Sequence, residues 1–233
     1  MVEDLTANDI ETLRRISSPT ISNAVELFNI RPRTQGYSNS SIRCLFPELG
    51  TMVGYSTTAT VSADEPSRVD LAGEYWESVL RIPPPRIAVL RDLNNPPVGA
   101  FWGEVNASIH KALGCVGTVI EGGVRDLDEV KALGFHYFAS HVIVSHGYVH
   151  IEDFGKPVSV EGLMVKPGDL LHADKHGVVT IPAEIAKRVV AAARVIELHE
   201  REIIEYCKST NFTLEKLKQL RKEFREKIQK ERF

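Results

Sequence analysis

The chain has 233 residues, 43% hydrophobic and 25% charged, with a formal net charge of −3. That length buries a sizeable core without staples, and the composition is that of a globular protein. The first 200 residues carry no basic run, which argues against nucleic acid as the main partner. A small anionic substrate needs only one or two well-placed cations.

Cys44, Cys115 and Cys207 are odd in number, far apart and without metal-ligand spacing. Neither a disulfide framework nor a zinc knuckle is expected, and Cys115, in an apolar stretch, reads as core. The N-terminal segment has no apolar run and no stretch is long enough to span a bilayer, so the expected location is cytoplasmic, with no membrane partner.

Taken in order, residues 6–16 place Ile10, Leu13 and Ile16 at helical spacing behind Thr6 as N-cap. Ser18-Pro19-Thr20 interrupts, and residues 21–28 read as a second short helix. Residues 31–49, punctuated by Pro32, Gly36 and Pro47, read as a surface excursion. Residues 52–62, rich in Thr, Val and Tyr, predict a strand. Residues 70–80 suit a helix ended by Pro83-Pro84-Pro85, and 86–90 a short apolar strand. Residues 104–113 read as a helix stopped by Gly114.

A buried-type strand follows at 116–121. Gly122-Gly123 is expected to turn the chain into a helix over 126–133. Residues 137–138 and 142–144 are strand-like. Beyond Pro157 come strands at 158–160, 170–173 and 178–181, with a type II turn at Lys166-Pro167-Gly168-Asp169. Residues 183–199 form a helix, and a charged segment continues to the end. Strands alternating with helices and then clustering argue for one α/β domain with a mixed sheet and helical additions at both ends.

The chemistry concentrates in residues 99–129. Gly103 and Glu104 open a helix, where unpaired amides and partial positive charge suit a carboxylate or phosphate. The next strand leads to Arg125 and Asp126, where another helix begins, and strand ends in α/β sheets are where ligands sit. Arg125 can bind an oxo or carboxylate oxygen. Asp126 and Glu104 offer hard oxygen ligands for Mg²⁺ or a similar cation, and the amides near Val105 and Asn106 could hold a substrate carboxylate. A local explanation exists for each residue. Asp126 with Glu129 fits a capping box, Arg125 could pair with a neighbouring acid, and Glu104 suits a first helical turn.

Glu104, twenty residues, then Arg125-Asp126 resembles the acidic-x20-Arg-Asp signature of the 4-hydroxy-4-methyl-2-oxoglutarate aldolase and RraA-like family. Trp102-Gly103-Glu104, Gly114-x-x-Gly117 and Glu121-Gly122-Gly123-Val124 are similar in context. Pro157-Val158-x-Val160, Val165-x-Pro167-Gly168-Asp169 and Ala173-Asp174-x-x-Gly177-Val178-Val179-x-x-Pro182 look like the family's closing strands. The similarity covers residues 18–200, leaving 1–17 as an N-terminal helix and 201–233 as a C-terminal helical extension.

The resemblance implies a layered β/β/α fold of the swivelling-domain type, assembled as a homotrimer or homohexamer. It implies Asp126 as direct ligand of Mg²⁺ or Mn²⁺ and Glu104 as holder of metal-bound water. Arg125 would meet the substrate's oxo oxygen, with Gly103 and the amides of Val105 and Asn106 around its carboxylate. The implied activity is cleavage of a 4-hydroxy-2-oxo diacid to pyruvate and a second 2-oxo acid, with oxaloacetate decarboxylation. The family's alternative is a non-catalytic protein regulator of an RNA-degrading endonuclease, a type that tends to lack the acid supplied here by Glu104. Two departures bear on substrate choice. Asn23 precedes Ala24 where Asp is common, and Lys175-His176 replaces acidic or neutral residues.

His136, His141, His146 and His150 lie on and around strands without paired carboxylates and read as structural. Lys111 and Lys131 lack the apolar setting that an imine-forming lysine needs. Asp169 and Asp174 read as turn and strand-end residues, and His176-Gly177 as a hairpin turn. In the tail, Leu214, Leu217, Phe224 and Ile228 at near-helical spacing suggest a solvated amphipathic helix docked on its own assembly.

Overall fold

A computed structural model describes residues 5–230, with side chains through residue 228. The chain runs α1 (Ala7–Arg14), α2 (Ser18–Glu26), β1 (Arg43–Cys44), β2 (Met52–Ser62), α3 (Ala72–Leu80), β3 (Arg86–Asp92), β4 (Ala100–Trp102), α4 (Glu104–Ala112) and β5 (Cys115–Val124). It continues through α5 (Leu127–Leu133), β6 (His136–Val142), β7 (His150–Phe154), β8 (Val158–Val160), β9 (Leu163–Val165), β10 (Leu170–Asp174), β11 (Gly177–Ile181), α6 (Ala186–Lys208) and α7 (Leu214–Lys230).

Nine strands form one mixed sheet in the order β1-β6-β5-β3-β2-β10-β11, with β4 beside β5 and β7 beside β2. Strands β2, β3, β5 and β6 are parallel neighbours, whereas β10 and β7 pair with β2 antiparallel. Strands β8 and β9 make a separate two-stranded ribbon.

The apolar run Ile87-Ala88-Val89-Leu90 shows why the layers form. Parallel strands covered on both faces are apolar at every position, not at alternate ones. Ala88 and Leu90 pack with Tyr75 and Val79 of α3, Ala107 of α4 and Val130 of α5. Ile87 and Val89 face the other way, onto Val158, Val160, Leu163 and Val165 of the ribbon. The result is a mixed α/β fold with helices on one face of the sheet and a β ribbon on the other.

A third core joins the chain's two ends. Ile10, Leu13, Ile21 and Val25 pack on Val189, Ala192 and Ile196 of α6 and on Leu170, Val179 and Ile181. Thr6 caps α1 as expected, with Asp9 reciprocating in a capping box. Buried His172 meets the Ser18 hydroxyl at 2.9 Å and the Leu13 carbonyl at 3.0 Å, fastening the α1–α2 junction to β10.

Several local readings change. Gly122 and Gly123 lie inside β5, where the register with β6 slips between Ile120 and Gly123, so the turn comes three residues later, at Arg125-Asp126. A Cβ on Gly123 would stand 2.7 Å from the Gly99 carbonyl, so the glycine admits β4 against β5. The two strand-like segments 137–138 and 142–144 are replaced by one strand, β6, which ends at Val142, and Val144 is fully outside it. Strand β7 was not expected, and its His150 does have a carboxylate partner, Glu152, at 2.9 Å. The type II turn stands: Gly168 has φ +85° and the Asp169 carboxylate accepts the Lys166 amide at 2.8 Å.

Candidate active site

Because β3, β4, β5 and β6 run parallel, their C-terminal ends open onto one edge, where the chain leaves β4 for α4 and β5 for α5. Gly103 is the N-cap of α4. Arg125 follows β5, and its amide donates to the Trp102 carbonyl at 2.8 Å, locking the two strand exits together.

Asp126 sits at φ 55°, ψ 50°, a left-handed conformation uncommon outside glycine but tolerated by aspartate. It makes no side-chain cap on its own helix. The capping box with Glu129 therefore does not form, although the Asp126 carbonyl still accepts the Val130 amide at 3.0 Å. The carboxylate instead crosses to α4, and Oδ2 accepts the Glu104 amide at 2.9 Å. The Arg125 Nε stands 3.9 Å from the same oxygen.

Gly103 makes room for this crossing. A Cβ there would lie 2.6 Å from Asp126 Oδ2 and 3.2 Å from Arg125 Nε. Its φ of −147° is ordinary extended backbone, so the demand is for space. Helix geometry leaves the first-turn amides of Val105 and Asn106 without carbonyl partners, while that of Glu104 is engaged by Asp126. The Asn106 side chain ties back to the Phe101 carbonyl at 2.6 Å and so steadies the start of α4.

The five residues Gly103, Glu104, Val105, Arg125 and Asp126, with Asn106 behind them, thus share one shelf. It is open: the side chains of Arg125 and Asp126 are 37% and 36% exposed, and Val105 is 73% exposed. Among the described residues, no group of three or more His, Cys, Asp or Glu is placed to hold a metal. A cation here would have Asp126 and Glu104 as protein donors and would keep much of its water, a habit of Mg²⁺.

Beneath the shelf, Trp102 packs edge-on against His110 at 4.6 Å. The His110 Nδ1–H donates to the Asn106 carbonyl at 2.8 Å and Nε2 faces the Tyr75 hydroxyl at 3.3 Å. Burial holds this imidazole down to about 4, so it stays neutral and structural. Tyr137 is buried nearby and its phenol is pushed up by burial, with the Asp126 charge adding to the effect.

Other candidates resolve as structural. Lys111 donates to the Leu133 carbonyl and Lys131 pairs with Glu48, so neither is a desolvated amine. Asp174 accepts the Ser18 amide at 2.9 Å and the His176 amide at 2.8 Å at the β10–β11 hairpin. Burial pushes the Cys115 thiol up to about 12.

One acid on the same edge escaped the sequence reading. Asp92, at the end of β3, is 6% exposed, and burial raises its carboxyl even though it accepts the Asn94 amide at 2.9 Å. The only sequence signal was an acid closing an apolar strand.

A model of the RraA-like family, described as Aldolase/RraA, matches residues 18–180. A Halalkalibacterium halodurans protein named "Putative 4-hydroxy-4-methyl-2-oxoglutarate aldolase" is 29% identical over 138 residues, 57% of this chain and 66% of that one. Matches to curated relatives span between about a third and two thirds of those proteins' lengths. An uncharacterized protein from Pseudomonas syringae pv. tomato superposes with a TM-score of 0.73 at 25% identity, covering 96% of this chain and 97% of its own. Streptomyces coelicolor RraAS2, described as an unusual member of the RNase ES inhibitor RraA protein family, gives 0.69 at 24% identity over 85% and 96%. That likeness concerns the fold.

Proposed function

This chain belongs to the RraA-like family, and on that premise we propose that it is a divalent-metal-dependent carbon–carbon lyase acting on a small 2-oxo acid. The observation that carries the reading is the Asp126 carboxylate, held over Gly103 by a left-handed backbone and aimed at the start of α4. A residue kept in a sparsely populated conformation, over a glycine that makes room for it, is a common mark of a working site.

The substrate is a 4-hydroxy-2-oxo diacid, cleaved to pyruvate and a second 2-oxo acid, with oxaloacetate decarboxylated by the same enolate chemistry. The amides of Val105 and Asn106 bind the C1 carboxylate, and the Arg125 guanidinium faces the 2-oxo oxygen. Asp126 would hold Mg²⁺ or Mn²⁺ directly, and Glu104 would do so through water. The ion supplies positive charge where the 2-oxo oxygen turns negative. As the C3–C4 bond breaks, its electron pair moves into the pyruvate enolate, and the C4 hydroxyl loses its proton. Glu104, exposed beside the helix mouth, is the carboxylate available to take that proton, and a proton from solvent then reaches C3 of the enolate to give pyruvate.

An open shelf is a poor place for such chemistry, because water weakens each electrostatic contact. The exposure of Val105, Val142 and Val144 supports a neighbouring copy covering it in a homotrimer or homohexamer. The proposed setting is cytoplasmic; among the described residues no helix is long and apolar enough to cross a membrane.

The test is pyruvate release from oxaloacetate and from 4-hydroxy-4-methyl-2-oxoglutarate, with Mg²⁺ or Mn²⁺ and with EDTA. Turnover that EDTA abolishes is expected. Absence of metal-dependent turnover on both would leave the alternative, a non-catalytic protein regulator of an RNA-degrading endonuclease.

A further inference from the structure

The cations of α7 are not spread evenly. Residues 214–230 contain seven Lys or Arg and three Glu, a net +4 within a chain whose total is −3. Leu217, Leu220, Phe224 and Ile228 recur along one line of the helix and are partly buried. The Phe224 ring lies 5.8 Å from that of His199 on α6, and Ile228 packs on the core shared by α1, α2 and α6. The apolar face of α7 is thereby spent within its own chain.

Lys218, Arg221, Lys222 and Arg225 follow the i, i+3, i+4, i+7 pattern, so they form a second stripe, about a quarter-turn round from the apolar line. All four are exposed. Glu215, Glu223 and Glu226 fall on the remaining side. Lys222 approaches Glu226 only to 3.8 Å, and Arg225 Nε donates to the Arg221 carbonyl at 3.4 Å. Contacts this long between exposed groups are weak and leave the stripe's charge in place.

We propose that this stripe binds the phosphate backbone of single-stranded nucleic acid. From Lys218 to Arg225 it runs about 10 Å along the helix, enough to face a short run of backbone phosphates. A lipid surface fits less well, since a membrane-bound amphipathic helix must bury its apolar face in the bilayer and this one is committed to α6. An aromatic platform stands where the helix begins. Phe212, 47% exposed in the α6–α7 turn, lies 5.8 Å from the Tyr206 ring. The Tyr206 hydroxyl accepts the Thr213 amide at 2.7 Å, which fixes the turn. Cations tracking phosphates beside an aromatic on which an unpaired base stacks are the recurrent parts of single-strand sites. The expectation against nucleic acid rested on the first 200 residues, and this stripe lies beyond them.

The experiment is fluorescence anisotropy of labelled 20-nucleotide RNA and single-stranded DNA, each of mixed sequence, titrated with the full chain. Binding at 50 mM KCl is expected to weaken about 20- to 50-fold by 200 mM, the counterion release of three to four phosphates on a single strand. The K218Q/R221Q/K222Q/R225Q variant should lose at least nine-tenths of the affinity while unfolding at the wild-type temperature, and Phe212→Ala should weaken binding at least fivefold. A K156Q/K166Q/K175Q control, which removes as many exposed cations less one, should bind as wild type. No binding of either oligonucleotide at 50 mM, equal affinity in the stripe variant, or binding of phosphatidylserine vesicles in place of oligonucleotides would overturn the proposal.

Discussion

The carboxylate of Asp126 accepts the backbone N–H of Glu104 at 2.9 Å across 22 residues of chain. An acid that the sequence places at the start of α5 therefore caps α4. That cross-cap brings Gly103, Glu104, Arg125 and Asp126 together and explains the glycine.

Gly103→Ala should inactivate the site with little effect on the fold. The new Cβ would stand 2.6 Å from Asp126 Oδ2, so the carboxylate must move, whereas the extended backbone accepts alanine. Displacement of a reacting group by about 1 Å costs on the order of 100-fold. The check is kcat/KM for pyruvate release alongside the thermal midpoint.

Arg125→Lys should be nearly as severe on kcat/KM. Lysine keeps the charge but loses the planar fork that meets an oxo oxygen and a carboxylate together. Its Nε now stands 3.9 Å from Asp126 Oδ2 between exposed groups, so stability should change by under about 1 kcal/mol. Steady-state kinetics with a urea melt separates the two quantities.

His150 should make stability depend on pH. Its Nδ1 faces the Tyr148 carbonyl at 2.7 Å and its Nε2 faces Glu152 at 2.9 Å, both acceptors, so the surroundings favour the protonated ring, in which both nitrogens donate. Partial burial opposes the charge, but the Tyr148 carbonyl and the Glu152 and Asp64 carboxylates outweigh it and raise the imidazole above its ordinary range. A raised folded value gives stability that is complete below the unfolded value near 6.5 and fades as pH rises through the folded one. The midpoint advantage of wild type over His150→Gln should thus be larger at pH 5.5 than at pH 8.5, by a few degrees at most.

How much of this could be read from residues alone varies by level. Strand β2 and helix α4 were legible because their patterns are long and local. The run 87–90 was legible as a short apolar strand, whereas the stacking of layers was implied only by the family resemblance. Strands β4 and β7 were not, because three- and five-residue segments rich in Trp, His or acids gain their strand character from neighbours distant in sequence. Gly122-Gly123 looked like a turn because glycine punctuates loops. Its actual task, admitting β4 against β5, depends on a contact with Gly99 that no local pattern contains. That Gly103, Glu104, Arg125 and Asp126 belong together was implied by the family-like signature and not by spacing alone, and the structure does set them side by side. The direction of the Asp126 cap was not legible, since a capping box and a left-handed cross-cap both begin from the same aspartate.

Cysteine chemistry offers a simple control. Cys115 is buried, with its thiol pushed up to about 12, while Cys207 is exposed. Iodoacetamide at pH 7.5 should label Cys207 first and leave Cys115 unmodified until the chain is unfolded, as read by peptide mass mapping. Early labelling of Cys115 would mean that the core around β5 opens far more readily than its packing implies.

Asp126→Asn divides capping from ligation. Asparagine keeps an oxygen for the Glu104 amide and tolerates a left-handed backbone, but it removes the charge a cation needs. Mn²⁺ titration of wild type and this variant, followed by calorimetry, should show saturable binding in wild type and at least a tenfold loss in the variant, with thermal midpoints within about 2 °C, a difference worth no more than about 1 kcal/mol at this size. Equal Mn²⁺ affinity in both proteins, or no binding by wild type, would contradict the assignment of Asp126 as the metal ligand.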